Sequence, residues 1–218
     1  MTFDAIRAVA AEDGLALTGW FHPGPDDLEP DGAATILLFG YGGPELWAAF
    51  QAAPEASDGA PHGLDRWSER VITRLAARFA GEALFPFGGP PYQPFIRWTY
   101  AGEPIHQSRL GMSIHPERGL WSGWRGAVAL AERLDLPPRA ATDHPCDGCA
   151  APCRTACPVG AFTDDGYDTA RCRAHLNAPE GAPCRAAGCL ARRACPVGRD
   201  YAQSAAQAAF HLDAFRVA

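Results

Sequence analysis

All eight cysteines of this 218-residue chain lie between Cys146 and Cys195, and all six tryptophans lie between Trp20 and Trp124. The two populations do not overlap, so the chain divides near Leu136-Pro137-Pro138-Arg139, where two prolines end the preceding pattern and stiffen a connector. The expected domains are residues 1–140 and 141–218. From Cys146 onward only eleven side chains are large and apolar or aromatic: Val159, Phe162, Tyr167, Leu176, Leu190, Val197, Tyr201, Phe210, Leu212, Phe215 and Val217. So little burial does not offset the chain entropy of such a segment, which therefore needs staples or metal.

The segment repeats itself. Arg154-Thr155-Ala156-Cys157-Pro158-Val159-Gly160 returns as Arg192-Arg193-Ala194-Cys195-Pro196-Val197-Gly198, and the same offset carries Cys146 onto Cys184. Its first half reads C-x2-C-x3-C-x3-C-P and its second C-x4-C-x5-C-P, with Cys172 between them. Three uses of the thiols compete. Disulfides need an oxidising compartment, and no secretion signal accompanies these cysteines. Structural zinc favours paired C-x2-C knuckles, of which one is present. Iron–sulfur clusters fit best, since a repeated C-x2-C-x2-C-x3-C-P run is the bacterial two-cluster ferredoxin pattern, here with one extra residue after Cys149 and longer gaps in the second half. In that pattern the fourth cysteine of each run serves the other cluster. Cys146, Cys149, Cys153 and Cys195 then form one [4Fe–4S] ligand set, and Cys157, Cys172, Cys184 and Cys189 the second. Asp168 or Thr169 caps a short helix carrying Cys172, Leu176 and His175, the last more often a surface histidine than a ligand. The arginines at 154, 171, 173, 185, 192 and 193 partly offset cluster charge or simply face solvent, and residues Tyr201 to Phe215 read as a docking helix.

The basic residues are all arginine, 19 against 25 acids, for a net charge of -6, which argues against a nucleic-acid partner. No apolar run approaches the roughly 20 residues that span a bilayer. Asp4, Arg7, Glu12 and Asp13 crowd the start, where a signal peptide would be apolar. The expectation is a cytoplasmic protein without a membrane partner.

Before the cysteines the pattern mixes helices and strands. Residues 2–12 read as a helix, 14–20 as a turn into a strand, and 33–39 as a buried strand. Gly40-Tyr41-Gly42-Gly43-Pro44 opens a helix but lacks a phosphate-binding fingerprint, so it reads as a tight turn. Asp65 is placed to cap a helix bearing Trp67, Val71, Leu75 and Phe79, with Gly81 as its stop. The stretch Phe85 to Phe95 is irregular, either lining a planar cofactor or forming a plain loop. Strands are expected around Leu110 to Ile114 and Ala127 to Leu130. The class is α/β or α+β.

Leu110-Gly111-Met112-Ser113-Ile114-His115-Pro116, then Gly119-Leu120-Trp121 and Trp124-Arg125-Gly126-Ala127, resembles the I-H-P-x-x-G-x-W…R-G stretch of the cobalamin-processing decyanase. The cysteine segment is similar to that of epoxyqueuosine reductases and reductive dehalogenases. The resemblance implies a nitroreductase-like cobalamin domain followed by a small ferredoxin-like domain with two [4Fe–4S] clusters. It also implies electron transfer to a bound corrinoid, or through it to a small-molecule substrate. It places Gly111, Ile114, His115, Pro116 and Trp121 near the corrin, with Arg125 behind, and calls for an electron-donor protein of the flavodoxin, ferredoxin or reductase kind. For His115 the competing role is a histidine packed beside a strand end. The family's acidic V-D-S/T-x-P stretch is missing: Gly102-Glu103-Pro104-Ile105-His106-Gln107-Ser108 offers only Glu103 or His106, so no catalytic residue is assigned. The tRNA-binding repeats are absent too, which argues against queuosine chemistry. The alternative to an enzyme is a non-catalytic electron carrier that docks a partner.

Overall fold

The Thr2 hydroxyl accepts the N–H of Ala5 (3.3 Å) and so opens the first helix. The computed structural model describes residues 2–24, 27, 30 and 32–217. In chain order the elements are α1 (Phe3–Glu12), β1 (Ala16–Phe21), β2 (Thr35–Gly40), α2 (Glu45–Gln51), α3 (Gly63–Arg78), β3 (Glu82–Leu84) and α4 (Phe95–Gly102). There follow β4 (His106–Gln107), β5 (Ser113–Ile114), β6 (Trp124–Leu130), β7 (Phe162–Thr163), β8 (Gly166–Tyr167), α5 (Thr169–Asn177), α6 (Ala182–Ala187), α7 (Leu190–Arg193) and α8 (Ala205–Val217). Among the described residues no helix is long and apolar enough to cross a membrane.

The chain forms two units, and the division differs from the sequence expectation. One unit comprises Met1–Pro104 and Gly123–Ala141; the other comprises Ile105–Ser122 and Thr142–Ala218. The boundary at 140 moves by one residue. The larger correction is that the I-H-P stretch belongs to the cysteine unit, not to the first domain.

The first unit is built on a four-stranded sheet of order β1-β2-β6-β3 in which every neighbouring pair is antiparallel. It is a mixed α and β unit of the α+β kind. All six residues of β2 are buried, which requires cover on both faces. Trp98 and Phe95 of α4 join Ile36, Leu38, Ala127 and Ala129 on one face. On the other, Ile72 of α3 lies over Gly126, the register partner of Phe39. The segment after β6 is tied to its own unit, because Trp20 donates to the Pro137 carbonyl (2.9 Å) and Arg139 donates to the carbonyls of Tyr100 and Ala101. The Gly-rich loop before α2 is likewise pinned, with the Tyr41 N–H on the Gly123 carbonyl (2.8 Å).

Three local expectations change. His62, in the left-handed region at φ 56°, occupies the cap position of α3, and Asp65 lies in its first turn, where it pairs with Arg125. The expected strand from Leu110 shrinks to Ser113–Ile114, paired with β4. The helix α4 was not anticipated at all.

The cysteine unit has little regular structure. It contains two hairpins of two-residue strands, β4–β5 and β7–β8, and several short helices. Asp168 caps α5 by accepting the Arg171 N–H at 2.8 Å. The tail helix α8 starts at Ala205, after a 3-10 turn at Arg199–Tyr201.

Candidate metal centre

The two copies of Cys-Pro-Val-Gly end alike. Gly160 and Gly198 both adopt left-handed backbone, at φ 58° and 71°, so each cysteine loop turns away from its sulfur at the same point. At the second copy the requirement is stricter. A Cβ on Gly198 would lie 2.2 Å from the Arg118 carbonyl carbon, and one on Gly119 would lie 2.0 Å from the Val197 carbonyl oxygen. The I-H-P stretch and the second cysteine loop thus meet backbone to backbone. Gly119→Ala is expected to destabilise this unit by about 3 kcal/mol or more, from left-handed strain plus that collision. Gly111, also left-handed at φ 75° but with open space around it, should cost only about 1 kcal/mol as alanine. Equal shifts of the denaturant midpoint for the two variants would refute the close approach.

None of the eight cysteines forms a disulfide; Cys153, Cys184 and Cys195 are buried and the others half-buried. Their sulfurs fall into two neighbour sets. Burial pushes the Cys195 thiol up, the Val197 N–H pulls it down, and the sulfurs that press on it are those of Cys153, Cys146 and Cys149. Cys153 is raised by burial and by Cys146 and Cys149. Cys184 is raised by burial and by Cys189, Cys157 and Cys172. Cys189 is raised by burial against the N–H groups of Arg192 and Ala191, and its sulfur neighbours are Cys157 and Cys172. Grouped by these electrostatic neighbours the thiols fall into {Cys146, Cys149, Cys153, Cys195} and {Cys157, Cys172, Cys184, Cys189}, the sets the crossing rule of two-cluster ferredoxins proposes, while Cys157 and Cys189 also pack against the apolar cluster that holds Cys153 and Cys195. Among the described residues no group of three or more His, Cys, Asp or Glu is set to hold a single metal ion.

Backbone N–H groups are aimed at the sulfurs. Ala151 donates to Cys149 (3.4 Å) and Ala161 to Cys157 (3.3 Å). The arginines hold the loops rather than only facing solvent. Arg185 donates to the carbonyls of Leu176 (2.5 Å) and Ala178 (2.8 Å), Arg193 to those of Ala187 and Gln203, and Arg192 to that of Leu120 (2.8 Å). Arg154 pairs with Asp164 at 2.8 Å.

The residues assigned to a corrin pocket sit in this same unit. Ile114 is buried in a cluster with Leu110, Leu120, Cys153, Ala191 and Cys195. Trp121 is buried beneath two guanidinium groups, Arg192 at 4.4 Å and Arg193 at 5.6 Å from its ring centre. Gly111 and Pro116 lie in the turns that flank β5. Arg125, by contrast, belongs to the first unit, where it pairs with Asp65 and donates to Ser68 Oγ (2.9 Å). Glu103 is buried there as well and accepts the Trp124 indole N–H at 2.5 Å, whereas His106 lies in the cysteine unit beside Thr142 and His144.

His115 closes a turn. Its Nδ1 accepts the backbone N–H groups of Glu117 (3.1 Å) and Arg118 (3.2 Å), which requires a neutral ring. Burial, reinforced by the Arg118 guanidinium and opposed by Glu117, lowers its pKa to about 4. A folded value below the ordinary 6.5 stabilises the fold above pH 6.5, and that stability is lost as pH falls towards about 4. The protein is expected to lose up to about 3 kcal/mol from this group over that window. His115→Asn, which keeps an acceptor but does not titrate, should flatten the slope of denaturant midpoint against pH; an unchanged slope would refute this role.

Comparison with known proteins adds no relative: no protein-family model, no curated protein and no solved structure matches this chain.

Proposed function

We propose that this chain is a two-cluster iron–sulfur electron-transfer protein. The observation that carries the reading is the partition of eight free thiols into two sets of four, each drawing cysteines from both halves of the internal repeat. The donor set fits the group: eight soft sulfur ligands, no disulfide, and backbone N–H groups directed at the sulfurs. When bound, two [4Fe–4S] clusters supply one-electron redox chemistry at potentials set by net charge, hydrogen bonds to sulfur and exposure. This chain's residues do the rest. Burial keeps Cys153, Cys184, Cys189 and Cys195 protonated in the free protein, so loading releases protons from them. Arg185, Arg192 and Arg193 fix the loops from which the sulfurs project, through bonds to the Leu176, Leu120 and Gln203 carbonyls.

The carrier is favoured over a corrinoid enzyme because the residues that suggested a corrin have other work in the cysteine unit. Ile114 packs on Cys153 and Cys195, His115 closes a turn and Trp121 lies under two arginines. The test is elemental analysis of protein purified without oxygen. About eight irons and eight sulfides per chain support the proposal. Zinc, or thiols paired with one another, would refute it, and stoichiometric cobalt would restore the corrinoid enzyme.

A further inference from the structure

The loop that carries Cys146, Cys149 and Cys153 is held at both ends by one short segment of the same unit, Gln107 to Arg109. That segment is firm. It leads from β4 into a turn in which Gly111 adopts φ 75°, closed by the Ser108 N–H on the Met112 carbonyl (2.8 Å) and the Gly111 N–H on the Ser108 carbonyl (2.9 Å). Ser108 is buried, and its hydroxyl accepts the Leu110 N–H at 3.3 Å. Leu110 in turn lies in the apolar cluster of Cys153 and Cys195, against which Cys146 also packs.

His144 bridges this segment to the start of the loop. Its Nδ1 faces the Cys146 N–H at 3.1 Å and its Nε2 faces the Gln107 carbonyl at 3.1 Å. A backbone N–H only donates and a carbonyl only accepts, so the two contacts together fix a neutral ring with its proton on Nε2. Arg109 Nη2 donates to the Cys146 carbonyl at 3.0 Å. At the far end of the loop, immediately after Cys153, Arg154 Nη1 donates to the Arg109 carbonyl at 3.4 Å. The N–H and the carbonyl of Cys146, and the chain leaving Cys153, are thus all tied to residues 107–109. The repeat shows that the His144 tie is particular to this loop. The offset that carries Cys146 onto Cys184 carries His144 onto Ala182, whose side chain forms no hydrogen bond, and Cys184 is held within α6 instead.

Thiolates on one loop let go of a metal when the loop opens, and groups that fix the loop from behind the ligands oppose that opening. We propose that Arg109 and His144 are positioning residues for the Cys146–Cys149–Cys153–Cys195 centre, clamping the first cysteine loop closed on its metal and so slowing release of iron from that centre. The inference rests on the two-cluster reading and goes beyond it by naming side chains, neither of them a ligand, on which only one of the two centres depends.

The test is a challenge of protein purified without oxygen with a ferrous chelator. The initial loss of each centre is followed by electron paramagnetic resonance after reduction with dithionite. Cys146→Ser and Cys172→Ser assign the two signals. Arg109→Ala and His144→Leu should each speed loss of the first centre about tenfold and leave the second at the parent rate. Arg109→Lys keeps a donor for the Cys146 carbonyl, and His144→Asn keeps an acceptor for the Cys146 N–H, so each should recover part of the loss. Parent rates in both Arg109→Ala and His144→Leu would overturn the inference alone, as would equal acceleration of both centres, the mark of a general loss of stability. Absence of iron and sulfide from the parent protein would overturn the two-cluster reading instead.

Discussion

On the two-cluster proposal, Cys195→Ala is expected to remove about four of the roughly eight irons, the centre lost being the one assigned to the Cys146–Cys153 loop. By chain order Cys195 belongs with Cys184 and Cys189, and a simple pairing of each run with its own cluster would predict loss of the second centre. The sulfurs that raise its thiol are instead Cys153, Cys146 and Cys149. It is also buried in one apolar cluster with Cys153, Ile114 and Leu120. Cys157 and Cys189 pack against that cluster too, but the thiols that Cys157 raises are those of Cys184 and Cys189. Cys157→Ala should therefore spare the first centre and abolish the second. Iron content together with site-resolved spectroscopy of the two variants checks this. If each variant loses the cluster of its own half, or both lose the same one, the crossing is wrong.

Spacing proposes a grouping of the sulfurs, because thiolates on short loops have few ways to converge and the repeat shows which positions are equivalent. The α5 cap was legible because Asp168 satisfies an N–H within its own turn, a local interaction. Long-range closure was not legible. Nothing in the letters of residues 105–122 says that Gly119 meets Val197, since that contact is between backbones and needs only a glycine on each side. Composition misled here, because Trp121 groups with the other tryptophans of the first unit by sequence but packs under Arg192 and Arg193. The helix α4 was hidden by the prolines before it, although Phe95, Trp98 and Thr99 recur at helical spacing and are buried. Asp65 looked like a cap because capping residues are recognised by type; its carboxylate is engaged by Arg125 instead.

If the cysteines hold iron as proposed, stripping it anaerobically with a chelator is expected to unfold the cysteine unit and leave the first unit folded. The burial in the two units is unequal. Of the twelve largest fully buried side chains, only Ile114 and Leu176 belong to the cysteine unit, while Trp98, Phe39, Ile6, Ile36, Leu37 and Leu38 are among those of the first. The first unit also has a four-stranded sheet covered by helices on both faces, whereas the second has hairpins of two-residue strands. Two-stranded ribbons that short are not stable alone, and the cluster that joins Ile114 and Leu120 is itself centred on Cys153 and Cys195. Ligand binding energy is then folding energy for this unit. Hydrogen exchange followed by mass spectrometry reads both units in one sample. Amides of α5, α6 and α7 should exchange at least about a hundredfold faster once iron is removed, while those of β2, β6 and α3 keep their protection. Retained protection in α5 to α7 after complete iron loss would show that packing alone holds the second unit, and would remove the thermodynamic reason for eight cysteines in so short a stretch.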